Sequence, residues 1–321
     1  MPDLLIFSLI FVASLLVLVK ASDFFTDSAE KIGLYIGLPP FIIGVTIVSI
    51  GTSLPELISS VLAVLEGSSE IVVANVVGSN IANIFLIIGA ACLIGSKSLS
   101  ITYDLVSVDL PLFVGSAFLL VLSVWDQKFS AGEALIFVIA YIMYLFYTIK
   151  DSEEEEEQEQ EQENNVDKKK SSSYLSRQVL IVILSIAFIY LGAKYTIDSL
   201  VKISEILNIG KEIIAVSAVA LGTSLPELVV TINAAKKGQE EVAIGNVLGS
   251  NIFNTFMVMG IPGLVGRLTI PETVLTGGVP TLLAGTFLLF FATQDKKLTI
   301  WEGWLFLIMY GWFIGTTFNL I

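Results

Sequence analysis

Long apolar stretches alternate with short polar breaks along almost the whole chain. Ten are long enough to cross about 30 Å of hydrocarbon as helices that rise about 1.5 Å per residue. They lie near residues 3–20, 39–65, 71–95, 107–124, 132–149, 178–197, 212–235, 242–266, 273–293 and 300–318. The pattern predicts an all-α integral membrane protein with ten transmembrane helices. We expect the first stretch to be a span and not a removed signal peptide, because Asp3 and no basic residue precedes it.

The composition supports a membrane protein. Hydrophobic residues make up 55% of the chain and charged residues 15%, and histidine is absent. A soluble domain normally carries about 25% charged residues, so the charge content is low. The single cysteine, Cys92, falls inside an apolar stretch and is expected to be a small core residue.

One segment is polar throughout and divides the chain. Residues 150–177 combine Glu, Gln, Asn, Ser and Lys with almost no apolar side chain, and they contain ten of the thirty acidic residues. This composition is typical of a solvated, disordered connector. A solubilising linker is favoured over a calcium sensor, because the run lacks the glycine turn and oxygen spacing of an EF-hand. The predicted units are therefore 1–149, a linker at 150–177, and 178–321.

Positive charges are unevenly shared between the two sides that these spans define. Cytoplasmic loops of membrane proteins collect Lys and Arg. With the N-terminus outside, the inner side carries Lys20, Lys31, Lys97, Lys150, Lys168, Lys169, Lys170, Arg177, Lys236, Lys237, Lys296 and Lys297. The outer side carries Lys128, Lys202, Lys211 and Arg267, and Lys194 is ambiguous. We therefore expect both termini outside and the acidic linker in the cytoplasm.

One sequence motif occurs twice. GTSLPEL occupies 51–57 and again 222–228, an offset of 171 residues (222 − 51). The same offset superposes Asn75 on Asn246, GSNI at 78–81 on GSNI at 249–252, Asn83 on Asn254, and Asp27 on Asp198. Because five spans precede the linker and five is odd, the second copy enters the membrane in the opposite sense. The ten helices are thus predicted to form two inverted-topology repeats of five, which is typical of secondary transporters.

Each GTSLPEL copy places a proline directly before a glutamate inside an apolar span. Pro55 and Pro226 lack a backbone N–H, so the helices are expected to kink or open there. Free carbonyl groups at that depth persist only where they line a cavity or bind a ligand. The carbonyls concerned are near Ser49 to Thr52 and near Ala220 to Thr223.

The side chains of this motif supply only oxygen atoms. Hydroxyl groups come from Thr52, Ser53, Thr223 and Ser224, and carboxylates come from Glu56 and Glu227. Coordination by oxygen alone suits a hard cation such as Ca²⁺, whereas a transition metal would recruit His or Cys. An intramembrane carboxylate is costly, so two at matched positions indicate a functional site. Structural hydrogen bonding by protonated glutamates is the less favoured alternative.

The second repeated stretch adds amide and hydroxyl groups. Asn83 and Asn254 each lie 27 residues after their glutamate (83 − 56 and 254 − 227), which places them at a similar depth if the chain folds back directly. Ser79 and Ser250 lie one helical turn earlier on the same face. We predict ligand roles for these four residues, against the alternative that they only pack helices together. Asp27 and Asp198 lie near span ends, where capping or hydration is favoured over a role in the ion path.

At these residues the chain resembles the sodium/calcium exchangers of the cation/calcium antiporter superfamily, whose two alpha-repeats carry a GTS-x-PE segment followed by a GSN segment. The resemblance implies a secondary active transporter that exchanges Ca²⁺ for Na⁺ by alternating access, with no enzymatic activity and no resident cofactor. Its partners would be Ca²⁺, Na⁺ and membrane lipid, with no nucleic acid. It also implies that the carbonyls of Ser49, Thr52, Ala220 and Thr223 complete the site, together with the hydroxyls of Ser53, Ser79, Ser224 and Ser250.

The chain departs from that family pattern at one position. Several members carry an acid where this chain has Asn254, so two carboxylates remain. The coupling ion therefore stays open at this stage. A proton/calcium antiporter and a potassium-dependent antiporter are alternatives, and a cation channel is a third. Proton-coupled relatives typically show a GN-type motif in place of GTS, which argues against the first alternative.

Overall fold

A computed structural model describes residues 2–95, 98–104, 109–160, 172–207 and 224–317. Ten helices run through these residues: α1 (Pro2–Tyr35), α2 (Pro40–Leu65), α3 (Glu70–Ile94), α4 (Asp109–Val124), α5 (Ala131–Gln160), α6 (Ser172–Ile206), α7 (Leu225–Lys236), α8 (Glu240–Val265), α9 (Val274–Ala292) and α10 (Ile300–Thr317). Seven of the ten are long and apolar enough to cross a membrane. They are α1, α2, α3, α5, α6, α8 and α9. The all-helical prediction is confirmed.

Several helices extend beyond the apolar stretches that predicted them. Helix α1 continues to Tyr35, past the predicted end at residue 20, and α6 continues to Ile206. Both extensions contain charged residues, which can reach water from a helix end that projects beyond the hydrocarbon. Helix α5 continues to Gln160, inside the predicted linker. Helix α6 begins at Ser172, which is also inside the predicted linker, and residues 161–171 lie outside the described residues.

Short two-residue strands join the loops of one half to the loops of the other. Strand β1 (Leu99–Ser100) pairs with β4 (Lys297–Leu298), and β2 (Lys128–Phe129) pairs with β3 (Leu268–Thr269), both antiparallel. The all-α prediction did not include these strands.

The end of each half repeats the same turn. Gln127 and Lys296 are the two non-glycine residues with positive φ among those described, and they are 169 positions apart (296 − 127). Each turn leads into a helix whose first turn is capped in the same way. Ser130 and Glu133 bond each other at the start of α5, and Thr299 and Glu302 do so at the start of α10. The internal similarity therefore extends beyond the motif region, with an offset of 169 in place of 171.

Buried and exposed apolar residues lie on different parts of the helix bundle. The core is continuous through α2, α3 and α8, where Phe41, Phe85 and Ile244 are fully buried. Large apolar side chains lie exposed on the outer helices, as expected of surfaces that contact hydrocarbon. Trp125 and Trp301, which are 74% and 78% exposed, flank helix ends in the manner of interfacial anchors.

Glycine allows α8 to approach α2 closely. A Cβ atom on Gly249 would overlap the carbonyl oxygen of Val45, and one on Gly245 would overlap that of Phe41. A Cβ atom on Gly44 of α2 would likewise overlap the backbone of α8. These contacts bring the backbone of the GSN segment against the helix that carries Glu56.

Candidate cation site

The two glutamates of the repeated motif meet in the centre of the helix bundle. Glu56 on α2 and Glu227 on α7 are each 1% exposed, and these two helices pack against each other. The hydroxyl of Ser53 donates a hydrogen bond of 2.9 Å to Oε1 of Glu227. A serine from the first motif therefore contacts the carboxylate of the second.

The helix around Pro55 differs from the predicted opening. An α-helix runs without a break from Ser49 to Leu65 with Pro55 inside it. A proline removes one helical hydrogen bond, and here the surrounding turns keep the helix closed. The departure from α geometry comes earlier, as a π turn at Gly44–Val48. Such turns recur at functional sites.

Polar groups on this part of α2 bond partly to their own helix. The hydroxyl of Ser49 donates to the carbonyl of Val45 at 2.6 Å, and that of Thr52 donates to the carbonyl of Ser49 at 3.2 Å. In the second copy of the motif, Ser224 is buried and Pro226 lies in the first turn of α7. The predicted ligands Ala220 and Thr223 lie outside the described residues.

Both predicted asparagine ligands begin π turns. Asn83 opens a π turn in α3 at Asn83–Ile87, and Asn254 opens one in α8 at Asn254–Val258. The first turn packs against α7 and the second packs against α2, so each asparagine segment adjoins the glutamate helix of the other half. The sequence repeat predicts these two residues as ligands, but it does not predict the π geometry.

Buried polar side-chain atoms without a hydrogen-bond partner are concentrated at the predicted ligand positions. Among the described residues, neither carboxylate oxygen of Glu56 has a partner, nor does Oε2 of Glu227. The same holds for both amide atoms of Asn83 and of Asn254, and for Oγ of Ser250. Ser79 is also buried, at 4% exposure. Unsatisfied buried polar groups are rare and costly in proteins, so this concentration indicates a ligand site.

The donor set fits a hard cation. Two carboxylates, amide oxygens and hydroxyls provide the oxygen ligands that Ca²⁺ prefers, and their two negative charges match one divalent ion. In the described part of the chain, no three His, Cys, Asp or Glu side chains cluster as a metal site. Any cation here must therefore combine the two carboxylates with neutral oxygens.

A polar bridge beside the glutamates was missed from the sequence. The hydroxyl of Thr52 shares its one proton between the carbonyl of Ser49 and Oδ1 of Asn246, each at 3.2 Å, and Nδ2 of Asn246 donates to Oγ1 of Thr231 at 2.8 Å. This chain of bonds connects α2, α8 and α7. The available signal was the repeat of Asn75 at Asn246, which is a buried amide in a span.

A second amide ties the two GSN segments together. Nδ2 of Asn80 donates to Oγ1 of Thr255 at 3.0 Å and to the carbonyl of Asn251 at 3.3 Å.

Two predicted ligands, Ser79 and Ser224, border a cavity of about 780 Å³ between α3, α9 and α10. Two of the predicted ligands thus adjoin a space that a hydrated ion could enter.

Comparison with known proteins gives consistent matches. The family model described as sodium/calcium exchanger protein matches residues 6–150 and 177–319. The sodium/calcium exchanger MaX1 of Methanosarcina acetivorans is 36% identical over 97% of this chain and 98% of its own length. The inner membrane protein YrbG of Escherichia coli is 30% identical over 82% of this chain and 81% of its own length.

A solved structure shares the fold across nearly the whole chain. The sodium-calcium exchanger NCX_Mj, soaked with Na⁺ in the absence of Ca²⁺, superposes with a TM-score of 0.80 and 28% identity. The match covers 96% of this chain and 97% of that one.

Proposed function

The chain belongs to the sodium/calcium exchanger family, and on that premise we propose that it exchanges Ca²⁺ for Na⁺ across a membrane by alternating access. Ca²⁺ and Na⁺ occupy the same central site in turn. One observation carries the proposal: Glu56 and Glu227 are buried together, and three of their four carboxylate oxygens lack a partner in the described structure. A cation that reaches these oxygens offsets the cost of burying both charges.

The proposed ligand set includes every residue that the repeat predicted. Side-chain oxygens come from Glu56, Glu227, Thr52, Thr223, Ser53, Ser224, Ser79, Ser250, Asn83 and Asn254, and carbonyl oxygens come from Ser49, Thr52, Ala220 and Thr223. One Ca²⁺ neutralises the two carboxylates. Several Na⁺ ions replace it, so binding of the two ions is mutually exclusive.

The orientation of the helices supports alternating access. Thr52 precedes Glu56 by one turn, and Thr231 follows Glu227 by one turn, yet both bond the same side chain of Asn246. Helices α2 and α7 therefore run in opposite directions past the site. Two inverted repeats around a fixed central site would place the helices in this way, and access would switch as one unit moves against the other.

The proposed topology has ten spans in two repeats of five. The units are 1–149 and 178–321, joined by the acidic linker at 150–177. Both termini lie outside and the linker lies in the cytoplasm, as the distribution of Lys and Arg predicts. In this orientation, the cavity beside Ser79 and Ser224 lies on the outer side.

Ion flux into reconstituted vesicles tests the coupling. With Na⁺, K⁺ and H⁺ gradients imposed one at a time, we expect Ca²⁺ uptake only against an opposing Na⁺ gradient. With three Na⁺ per Ca²⁺, one net charge crosses per cycle, worth about 2.3 kcal/mol at 100 mV, so uptake should also respond to voltage. Uptake that follows the pH gradient and ignores Na⁺ would establish the proton-coupled alternative. Unitary currents in bilayer recordings would establish a channel.

A further inference from the structure

Asn246 connects the two helix faces that carry the site carboxylates. It is fully buried on α8 and bonds both Thr52 and Thr231. Residues four apart share a helix face, so Thr52 lies on the face of Glu56 and Thr231 lies on the face of Glu227. The amide therefore spans the distance between the two glutamate-bearing faces.

We infer that Asn246 is a positioning residue for the cation site, which sets the spacing of Glu56 and Glu227 without coordinating the ion. This inference rests on the proposed cation site. Oxygen ligands of Ca²⁺ lie within about 2.3–2.6 Å of the ion, so small changes in the separation of two carboxylates alter affinity. Both hydrogen-bonding atoms of the Asn246 side chain are already used by threonines.

The other half of the protein contains a matched comparison. Asn75 stands at the position equivalent to Asn246, and Ser60 stands at that of Thr231. Asn75 is half-buried and makes no side-chain hydrogen bond to the described residues, and the buried Oγ of Ser60 has no partner among them. Among the described residues, Asn75 and Ser60 thus lack the bond that joins Asn246 to Thr231, and the equivalent of Thr52, Thr223, lies outside the described residues.

Asn246→Ala should raise the apparent KM for Ca²⁺ roughly fivefold to tenfold, as expected when one or two hydrogen bonds are lost. The maximal rate should change much less. Thr231→Val should have a similar effect, and the double variant should be no worse than either single variant, because both break one bridge. Asn75→Ala is the matched control and should alter KM less than about twofold. Vesicle Ca²⁺ flux provides both parameters.

Two results would overturn the inference. One is an equal rise in KM for Asn75→Ala and Asn246→Ala. The other is additive effects of Asn246→Ala and Thr231→Val. A wild-type protein that carries no Ca²⁺ would instead refute the proposed function, so the two failures are distinguishable. Elution of each variant as a single species confirms that it folds.

A separate ionic contact joins α1 to the end of α7. Nζ of Lys237 lies 2.8 Å from Oδ1 of Asp27 and 3.3 Å from Oδ1 of Asp23. Gln239 bonds Glu30 close by, and Asn233 bonds the carbonyl of Val19. The side chains of Lys237, Asp23 and Asp27 are 30%, 31% and 44% exposed, so these ion pairs are only partly shielded from solvent.

The repeat places opposite charges at the equivalent positions. With the offset of 171, Glu66 corresponds to Lys237, and Lys194 corresponds to Asp23. Both Glu66 and Lys194 are exposed, and the described part of the chain shows no ion pair between them. Asp198, the equivalent of Asp27, is also an acid. Glu66 can therefore form one attractive pair, with Lys194, whereas Lys237 forms two.

From these charges we propose a pair of alternating latches. The Lys237 latch, made of Lys237, Asp23 and Asp27, holds the conformation described here, and a Glu66–Lys194 latch closes in the opposite conformation. Inverted repeats exchange their roles when access switches, so a contact in one half predicts its equivalent in the other. The Lys237 latch is the stronger because it has two acids, and it biases the protein towards the present conformation. This proposal depends on alternating access but not on the identity of the ions.

Cross-linking reports the latch directly. In a Cys92→Ala background, Glu66→Cys and Lys194→Cys provide a reporter pair for the opposite conformation. Lys237→Gln should raise the cross-linking rate of this pair roughly twofold to fivefold, the range expected for partly exposed ion pairs. Asp23→Asn combined with Asp27→Asn should produce the same rise. Lys202→Gln is the matched control, since it removes a 2.8 Å ion pair formed within α6, and should leave the rate unchanged.

An unchanged rate in both Lys237→Gln and the double aspartate variant would overturn the latch proposal. An equal rise in Lys202→Gln would also overturn it, because the effect would then reflect net charge and not the contact. The reporter requires no transport, so the result stands whichever ion drives the exchange.

Discussion

Replacing Glu56 or Glu227 by glutamine is expected to abolish Ca²⁺ exchange, with a loss of at least about 100-fold in the initial rate. Each glutamate provides half of the negative charge that balances a divalent cation in a buried site. Leaving a buried charge without its partner costs about 3–5 kcal/mol, and each 1.4 kcal/mol corresponds to about a tenfold change in affinity. Vesicle Ca²⁺ uptake driven by a Na⁺ gradient measures the loss.

A glutamate outside the site serves as the control. Glu205 lies on α6, is 51% exposed and pairs with Lys202 on the same helix. Glu205→Gln removes the same charge from the protein and should keep the uptake rate within about twofold of wild type. Normal uptake by either Glu56→Gln or Glu227→Gln would remove that residue from the proposed site.

The sequence alone was sufficient to predict the membrane class, and it also predicts a central pair of carboxylates. An apolar chain that keeps two glutamates at matched positions inside its spans must compensate two large burial costs. This prediction of two paired glutamates depends on composition and repetition and not on geometry. In the structure, Glu56 and Glu227 are both buried, and Ser53 from the Glu56 helix bonds the carboxylate of Glu227.

The local helix geometry could not be predicted in the same way. Pro55 was expected to open α2, but the α-helix is continuous around it and the π turn lies at Gly44–Val48. Losing one hydrogen bond is tolerated when the helix is packed on several sides. A π turn carries no fixed sequence pattern, so those at Asn83 and Asn254 also had no advance signal.

Contacts between the two halves also could not be predicted from the sequence. The bridge through Asn246 depends on how α2, α7 and α8 cross, and helix crossing is set by packing across distant segments. The offset of 169 at the turns of Gln127 and Lys296 does have a sequence signal, because Asp126, Lys128 and Glu133 recur as Asp295, Lys297 and Glu302. The match is short and out of step with the offset of 171, so the main repeat does not indicate it.

Ca²⁺ and Na⁺ are expected to compete for one site formed by two carboxylates. Two charges balance a single Ca²⁺, whereas more than one Na⁺ is needed for the same neutralisation. Na⁺ should therefore displace Ca²⁺ with a steeper than hyperbolic concentration dependence. The variant with both Glu56→Gln and Glu227→Gln should lose this Ca²⁺ binding, because no negative charge remains in the site.

Equilibrium binding of radioactive Ca²⁺ to the purified protein, titrated with Na⁺ at constant ionic strength, measures this competition. We predict one Ca²⁺ per chain, complete displacement by Na⁺ with a Hill coefficient above one, and no such binding in the double glutamine variant. Ca²⁺ that remains bound at saturating Na⁺, or that binds the double variant as tightly as the wild type, would contradict the account.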